Sequence, residues 1–352
     1  MLGSLNLDRY VKNSFEDNCE FDFNSFERDI KDVTIFMNEV LEEGIKYLPL
    51  EEQKESVRKH RQLGIGIMGM ADMFIRMKII YGSKESKQLI EKILSVMANT
   101  SLQQSALLAK EYGTYEVYDK EAVLESPYLN FVATQETMSM IRKYGLRNAE
   151  LLSIAPTGSL STMLGVSGGC EPIFANSFLR KSESLGTEGQ PVYYKVYTSI
   201  VKEYMNKFNI TNEEDLPEYF VTAMDLDYRR RIELQGVLQK YIDSAISSTV
   251  NLPKETTIEE VEDLYIYAWE QGLKGVTIYR ENCLRTGILT TNKKKESSRL
   301  DRIDELREEI DKLALEEFEE HPDKCPICSS DNIMHSNGCI TCADCGYSPC
   351  SI

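Results

Sequence analysis

Short apolar runs alternate with long amphipathic stretches along this 352-residue chain, and this alternation restricts the fold more than any other feature. The runs "LLSIA" (151–155), "STVNL" (248–252) and "GVTIY" (275–279) are typical of short buried strands. Apolar residues at helical spacing predict helices at 23–41, at 83–113, from 228 to before Pro253, and from 257 to a stop at Gly272. This alternation predicts the α/β class, with a parallel sheet or a barrel.

Two signals in the first quarter of the chain concern local structure. Asn24 and Glu27 have the spacing of a capping box ahead of the first helix. Gly64, Gly66 and Gly69 in "RQLGIGIMGMADM" match the spacing of a dinucleotide-binding glycine loop, but the polar, helix-like "SVRKHRQ" precedes them instead of a strand. We therefore interpret this stretch as a closely packed, glycine-bearing helix, with nucleotide binding as the alternative.

The charge of the chain excludes several classes of partner. Its 40 basic and 57 acidic residues give a net charge of −17, whereas nucleic acids and membrane surfaces attract basic patches. The chain has no run of about 20 apolar residues that would predict a transmembrane helix. The N-terminal "MLGSLNLDRYVKNSFEDN" lacks the features of a signal peptide. We expect a cytoplasmic protein that binds neither nucleic acid nor membrane, and a small phosphorylated ligand is compatible with this charge.

The composition changes after Leu289, which predicts three parts. Residues 1–289 form the main α/β domain, and a hydrophobic content of 42% is enough for its core. Residues 290–320 form a polar linker and a charged helix, because Ile303, Leu306, Ile310 and Leu313 recur at helical spacing. Residues 321–352 form a separate cysteine-rich module.

The stretch "APTGSLSTMLGVSGGCEP" (155–172) is uncharged up to Glu171 and rich in glycine and hydroxyl side chains. It follows a predicted strand, and "TGSLST" is able to begin a helix, whose first backbone N–H groups would face outward. These groups and the hydroxyls of Thr157 and Ser159 suit an anionic phosphate, although the lysine of a P-loop is absent. The residues alone leave two alternatives, an ordinary capped turn and a phosphate site.

Six of the nine cysteines lie in the last 28 positions: Cys325, Cys328, Cys339, Cys342, Cys345 and Cys350. In a cytosolic protein such a cluster is typical of metal binding or thiol redox chemistry. Two C-x2-C pairs separated by 13 residues suit a tetrahedral zinc site with the ligands Cys325, Cys328, Cys342 and Cys345. A module this small has almost no core, so that the metal would fold it.

The cysteines also allow a second interpretation of the tail. Cys345 and Cys350 would form a dithiol behind a polar linker, able to exchange electrons with a distant site. The isolated His60, His321 and His335 give no support to a nucleophilic Ser-His-Asp or Cys-His site. A purely structural ribbon stays open beside the redox interpretation.

Four stretches, in this order, resemble the C-terminal half of the large, catalytic subunit of ribonucleotide reductase: "LGSLNL", "RQLGIGIMGMAD", "GLRNAELLSIAPTGSLSTMLGVSGGCEP", and "QKYIDSAISSTVNLP" followed by "GLKGVTIYR". The cysteine-rich tail is similar to that of the adenosylcobalamin-dependent (class II) members. The resemblance implies a ten-stranded α/β barrel made of two five-stranded halves. This chain resembles the second half, with a C-terminal zinc-ribbon-like tail.

The resemblance also implies roles for particular residues. The loop residues that would hold the phosphates of a ribonucleotide substrate are Pro156, Thr157, Gly158, Ser159, Leu160 and Ser161, with "GCEP" packed behind them. The family's tails re-reduce an active-site disulfide with electrons from a thioredoxin-like reductant. This favours a redox pair of Cys345 with Cys350, or else of Cys339 with Cys350, which leaves all four zinc ligands intact.

Two departures from the family pattern decide the class and the expected partner. Tyr279 is followed by Arg280 where class I enzymes carry two adjacent tyrosines, which implies adenosylcobalamin as the cofactor. The thiyl-radical cysteine of the family would lie upstream of Met1, and Cys19, Cys170 and Cys283 do not match its position. We therefore expect a separately encoded N-terminal half to complete the reductase, and a start with Met at a motif boundary fits a split gene.

The function expected from the sequence is the radical reduction of ribonucleotides to deoxyribonucleotides. The alternative is a non-catalytic remnant that binds a nucleotide or a protein partner and carries a zinc ribbon. A class I or other thiol-dependent reductase is a third, less favoured hypothesis.

Overall fold

The computed structural model describes residues 1–182, 192–280, 324–325, 327–336 and 339–345. The chain divides into two compact units, Met1–Cys283 and Leu284–Ile352. The three predicted parts and their boundaries stay predictions. The helix expected within 290–320 lies outside the described residues.

Long helices alternate with short strands in the first unit, as the sequence predicts. The α-helices of the described ranges are α1 (Phe23–Gly44), α2 (Glu51–His60), α3 (Met70–Arg76), α4 (Lys84–Tyr112), α5 (Lys120–Glu125), α6 (Pro127–Val132), α7 (Gln135–Tyr144), α8 (Gly158–Leu164), α9 (Ser199–Phe208), α10 (Tyr228–Gln239) and α11 (Ile258–Glu270). Short 3-10 helices span Leu7–Tyr10, Ile45–Tyr47 and Glu213–Asp215.

Both units contain strands, most of them short. They are β1 (Leu2–Asn6), β2 (Val11–Lys12), β3 (Glu20–Phe21), β4 (Gly64–Met68), β5 (Ser177–Ser182), β6 (Val192–Tyr197), β7 (Thr249–Leu252), β8 (Thr277–Arg280), β9 (Ile333–Ser336) and β10 (Cys339–Cys342). β1 pairs with β4 and β7 with β8 in parallel, while β2–β3, β5–β6 and β9–β10 are antiparallel pairs.

The parallel strands belong to a row of five extended segments. β4 lies between β1 and the segment 151–154, to which the Ile65–Leu152 bridge joins it. The Ile154–Ile246 bridge joins that segment to the stretch leading into β7, and β7 pairs with β8. Since these neighbours are all parallel, their carboxyl ends lie at one edge of the row. The predicted α/β class is confirmed, and the described residues form no closed barrel.

The core of the first unit covers both faces of the central strands. Every residue of β4 is buried, which is typical of a parallel strand between helical layers. Phe26 and Ile30 of α1 and Phe74 of α3 are among the largest fully buried side chains. This packing fixes the carboxyl end of β4, where the candidate site begins.

Local signals placed three helix ends correctly. Ser83 accepts the N–H of Ser86 at the start of α4, and Gly113 ends that helix with a φ of 82°. Thr257 and Glu260 form a complete capping box at the start of α11. The capping box predicted at Asn24 is wrong, because α1 begins at Phe23 with Asp22 as its N-cap.

Two further predictions about elements are wrong because tertiary pairing overrides the local pattern. The helix predicted from residue 228 ends at Gln239, and the residues that follow are drawn into the parallel row. The glycine-bearing helix is strand β4, in which a Cβ at Gly66 would collide with the Ser153 carbonyl oxygen of the neighbouring segment. Gly64 and Gly66 lie inside this strand, so they form no dinucleotide-binding turn.

Candidate functional site

The uncharged loop 155–172 begins where the segment 151–154 reaches the carboxyl edge of the row. Asn6, at the end of β1, and Gly69, just beyond β4, lie at the same edge. Ligands of parallel α/β sheets bind outside the carboxyl ends of the strands. The predicted phosphate loop therefore lies on the side of the sheet where such sites form.

Thr157 joins the two ends of this loop. It adopts the left-handed conformation, with a φ of 53°, and immediately precedes α8. Its Oγ1 accepts the N–H of Gly169 at 2.9 Å, and its carbonyl oxygen accepts the N–H of Ser161 at 2.7 Å. Because Thr157 Oγ1 accepts the Gly169 N–H, the hydrogen of this hydroxyl points away from Gly169.

The first turn of α8 presents its backbone to solvent. The Thr157 side chain does not cap this helix. The first N–H groups of a helix have no partner within it, and here they belong to the exposed residues Gly158, Ser159 and Leu160. These N–H groups and the exposed Ser159 hydroxyl form an uncharged donor set suited to an anion.

The remaining predicted loop residues differ in exposure. Pro156 is exposed, whereas Ser161 is buried and its hydroxyl donates to the Gly158 carbonyl oxygen at 3.2 Å. The structure thus places Ser161 under the turn and the other loop residues at the surface. The side chain of Ser161 supports the turn, and its N–H bonds Thr157.

Three hydrogen bonds join the far end of the loop to the start of α3. The Gly69 N–H donates to the Ser167 carbonyl oxygen (2.8 Å), and the Ala71 N–H donates to Ser167 Oγ (3.2 Å). In the opposite direction, the Ser167 N–H donates to Asp72 Oδ2 (2.7 Å). Burial raises the pKa of Asp72, while the hydrogen bonds from Ser167 lower it. Asp72 lies in the stretch "RQLGIGIMGMAD", but no pattern in the sequence assigns it a role.

The "GCEP" segment packs against the start of β7, the next strand of the row. The N–H of Thr249 donates to Glu171 Oε1 at 2.8 Å, and the buried Arg231 lies 3.4 Å from the same oxygen. The Tyr81 hydroxyl donates to the Cys170 carbonyl oxygen at 2.5 Å. Burial raises the pKa of the Cys170 thiol to about 12, so it is protonated at neutral pH and unsuited to thiolate chemistry.

The second unit brings together four of the predicted cysteines. The Sγ atoms of Cys325, Cys328, Cys342 and Cys345 all lie within 4.8 Å of one another. The Sγ–Sγ distance is 3.6 Å in both the Cys325–Cys345 and the Cys328–Cys342 pairs. A tetrahedral zinc with Zn–S bonds of about 2.3 Å requires sulfur atoms roughly 3.8 Å apart, so the geometry fits this ion. Cys350 lies outside the described residues.

The fold and the candidate site define an α/β protein with an uncharged, glycine- and hydroxyl-rich loop at the carboxyl edge of parallel strands. The family model for the ribonucleotide reductase barrel domain matches residues 1–279, and the chain belongs to this family. Among the described residues, no helix is long and apolar enough to cross a membrane.

Curated relatives carry names that agree with this family. A vitamin B12-dependent ribonucleoside-diphosphate reductase of Thermoplasma acidophilum is 29% identical over 311 residues, covering 82% of this chain and 36% of the relative. A reductase of the same name from Mycobacterium tuberculosis is 26% identical and covers 82% and 40%. The chain thus spans about two fifths of the length of these relatives.

A solved structure supports the fold. The class Id ribonucleotide reductase alpha subunit of Actinobacillus ureae matches with a TM-score of 0.59 and 23% identity, over 80% of this chain and 49% of that one. At this identity the similarity concerns the fold alone.

Proposed function

We propose that this chain is the second half of the barrel of an adenosylcobalamin-dependent ribonucleotide reductase and supplies its substrate-phosphate loop and redox tail. The observation that carries the proposal is the uncapped first turn of α8, which presents its N–H groups at the carboxyl edge of the sheet. Family membership and the names of the relatives support the reaction. In that reaction the ribose 2′-OH leaves as water, a hydrogen takes its place, and two thiols are oxidised to a disulfide.

The loop would bind the phosphates of the substrate without a basic side chain. Backbone amides at a helix N-terminus attract anions through their partial positive charge, and hydroxyls add donors. Thr157, Gly158 and Ser159 provide these groups in this chain. The proposed role is to hold the ribose over the radical-forming machinery, which the family places elsewhere in the enzyme.

We propose that the N-terminal half of the reductase contributes that machinery. The chain spans 36% of the T. acidophilum relative, and none of its cysteines matches the family's thiyl-radical position. Arg280 rather than a second tyrosine follows Tyr279 in β8, so this strand presents no tyrosine pair for a radical relay. Adenosylcobalamin, when bound, would supply the initial organic radical.

The tail is proposed to hold zinc and to carry electrons. Cys325, Cys328, Cys342 and Cys345 would bind the metal as thiolates, which folds a module with almost no core. Because Cys345 belongs to this group, we favour Cys339 and Cys350 as the redox pair over Cys345 and Cys350. A thioredoxin-like protein would then reduce this pair by thiol–disulfide exchange.

Co-expression with a candidate N-terminal half tests the proposed function. The complex is expected to convert a ribonucleotide to its deoxyribonucleotide only with adenosylcobalamin and a dithiol reductant. Cys350→Ser is expected to abolish turnover supported by thioredoxin but to spare turnover supported by dithiothreitol. A stable complex that binds nucleotide but never forms product would favour the non-catalytic alternative.

A further inference from the structure

Asp72 is a buried carboxylate that is hydrogen-bonded to the far end of the loop 155–172. The residue is 3% exposed, lies 95 residues before Ser167, and accepts the Ser167 N–H with its carboxylate. Beside it in α3, the Ala71 N–H donates to Ser167 Oγ at 3.2 Å. The start of α3 therefore holds both the backbone and the hydroxyl of Ser167, and the Asp72 carboxylate accepts the backbone N–H.

Among the described residues, no cation is paired with Asp72. Asp8, from the 3-10 helix packed against α3, is a like charge that raises the pKa of Asp72. Arg76 of α3 binds Asp8 and, at 2.6 Å, Glu203 of α9. Asp72 lies in the first turn of α3, and the helix N-terminus offsets only part of the cost of burying a carboxylate that has no paired cation. Fold stability therefore does not account well for a carboxylate at this position.

The geometry continues from Ser167 to the first turn of α8. Gly169, two residues further on, donates its N–H to Thr157 Oγ1 at 2.9 Å. Gly168 passes so close to the loop that a Cβ would lie 2.8 Å from the Pro156 carbonyl oxygen. A shift of Ser167 would therefore be transmitted to Thr157 through a short, tightly packed turn.

We propose that Asp72 is a positioning residue for the phosphate loop. By fixing Ser167, it keeps the Gly169–Thr157 hydrogen bond, and with it the N–H groups of Gly158 and Ser159, in the arrangement that binds substrate phosphates. This role rests on the proposed function of the loop.

A matched pair of substitutions separates positioning from general destabilisation. Asp72→Asn removes one acceptor and the charge at the loop. Asp243→Asn makes the same change at a different carboxylate. Asp243 accepts the backbone N–H groups of Leu151 and Leu152, at the amino end of the segment 151–154. Ser167→Ala, which removes only the hydroxyl bonds, replaces Asp72→Asn if that variant fails to fold.

Two measurements on the full chain test the role of Asp72. Asp72→Asn is expected to speed amide hydrogen exchange across 157–169 and to weaken CDP binding about tenfold, as for the loss of one or two charge-assisted hydrogen bonds. Asp243→Asn is expected to change neither. The inference is overturned if Asp72→Asn and Asp243→Asn show the same amide exchange across 157–169 and the same affinity for CDP, while wild type prefers CDP to cytidine. Equal binding of CDP and cytidine by wild type would instead overturn the proposed function.

Discussion

Thr157 is the most constrained residue of the candidate site. A left-handed conformation is uncommon for a β-branched side chain and costs on the order of 1–3 kcal/mol. Two hydrogen bonds hold it there, one at its side chain from Gly169 and one at its carbonyl oxygen from Ser161. Backbone strain of this kind persists where the surroundings impose it, and such places are often ligand sites.

Asp243 gives a prediction for the pH dependence of stability. Burial raises its pKa from 3.8 to about 6 although two backbone N–H groups donate to it. The folded chain therefore binds this proton more tightly than the unfolded chain, and the contribution of Asp243 to stability falls as pH rises from about 4 to about 6. A pKa difference of about 2 corresponds to about 3 kcal/mol.

Urea unfolding of wild type and Asp243→Asn between pH 4 and 7 measures this contribution. On acidification from pH 7 to pH 4, wild type is expected to gain stability relative to the variant, which has no proton to bind at this position. A difference between the two proteins that stays constant with pH would show that the pKa of Asp243 is not raised in the folded chain.

At the level of secondary-structure elements, the sequence predicts the helix ends that are set by residues close to them in the chain. Ser83 and Gly113 bound α4, and Thr257 begins α11, because each acts within a few residues of its own position. Local signals do not predict β4, since its strand conformation depends on pairing with β1 and with the segment 151–154. The link between Asp72 and Ser167 joins residues 95 positions apart, so no pattern in the sequence marks it.

The capping box of α11 gives a second prediction. Thr257→Ala removes the acceptor for the Glu260 N–H and is expected to lower the free energy of unfolding by about 1 kcal/mol. Thr256→Ala is the matched control, because the described hydrogen bond of Thr256 uses its backbone N–H rather than its hydroxyl. Urea denaturation measures both, and equal losses would show that the cap contributes nothing specific.

For the molecule as a whole, the sequence is most informative where several motifs occur in order. The α/β class and the family follow from those stretches, and the family model confirms the latter. The row of five parallel segments depends on bridges between distant residues such as Ile154 and Ile246, which periodicity does not reveal. The position of the four thiols was predictable because C-x2-C spacing is itself a local geometric signal.

Metal removal tests the tail. The purified chain is expected to contain one zinc ion, and a chelator is expected to abolish amide protection in β9 and β10 while the unfolding of the first unit is unchanged. Cys328→Ser is expected to lose the metal, whereas Cys339→Ser keeps it. Elemental analysis checks both variants, and zinc retained by Cys328→Ser would contradict the assigned ligands.

The central claim, that the first turn of α8 binds substrate phosphates, is tested most directly by calorimetric titration of CDP and cytidine. Ser159→Asp adds a charge that favours a helix N-terminus but repels phosphate, and Ser159→Asn is its uncharged counterpart. Wild type and Ser159→Asn are expected to bind CDP at least about tenfold more tightly than cytidine, a difference of about 1.4 kcal/mol, and Ser159→Asp to lose this preference. A preference for CDP that survives in Ser159→Asp, or that is absent from wild type, would contradict the account.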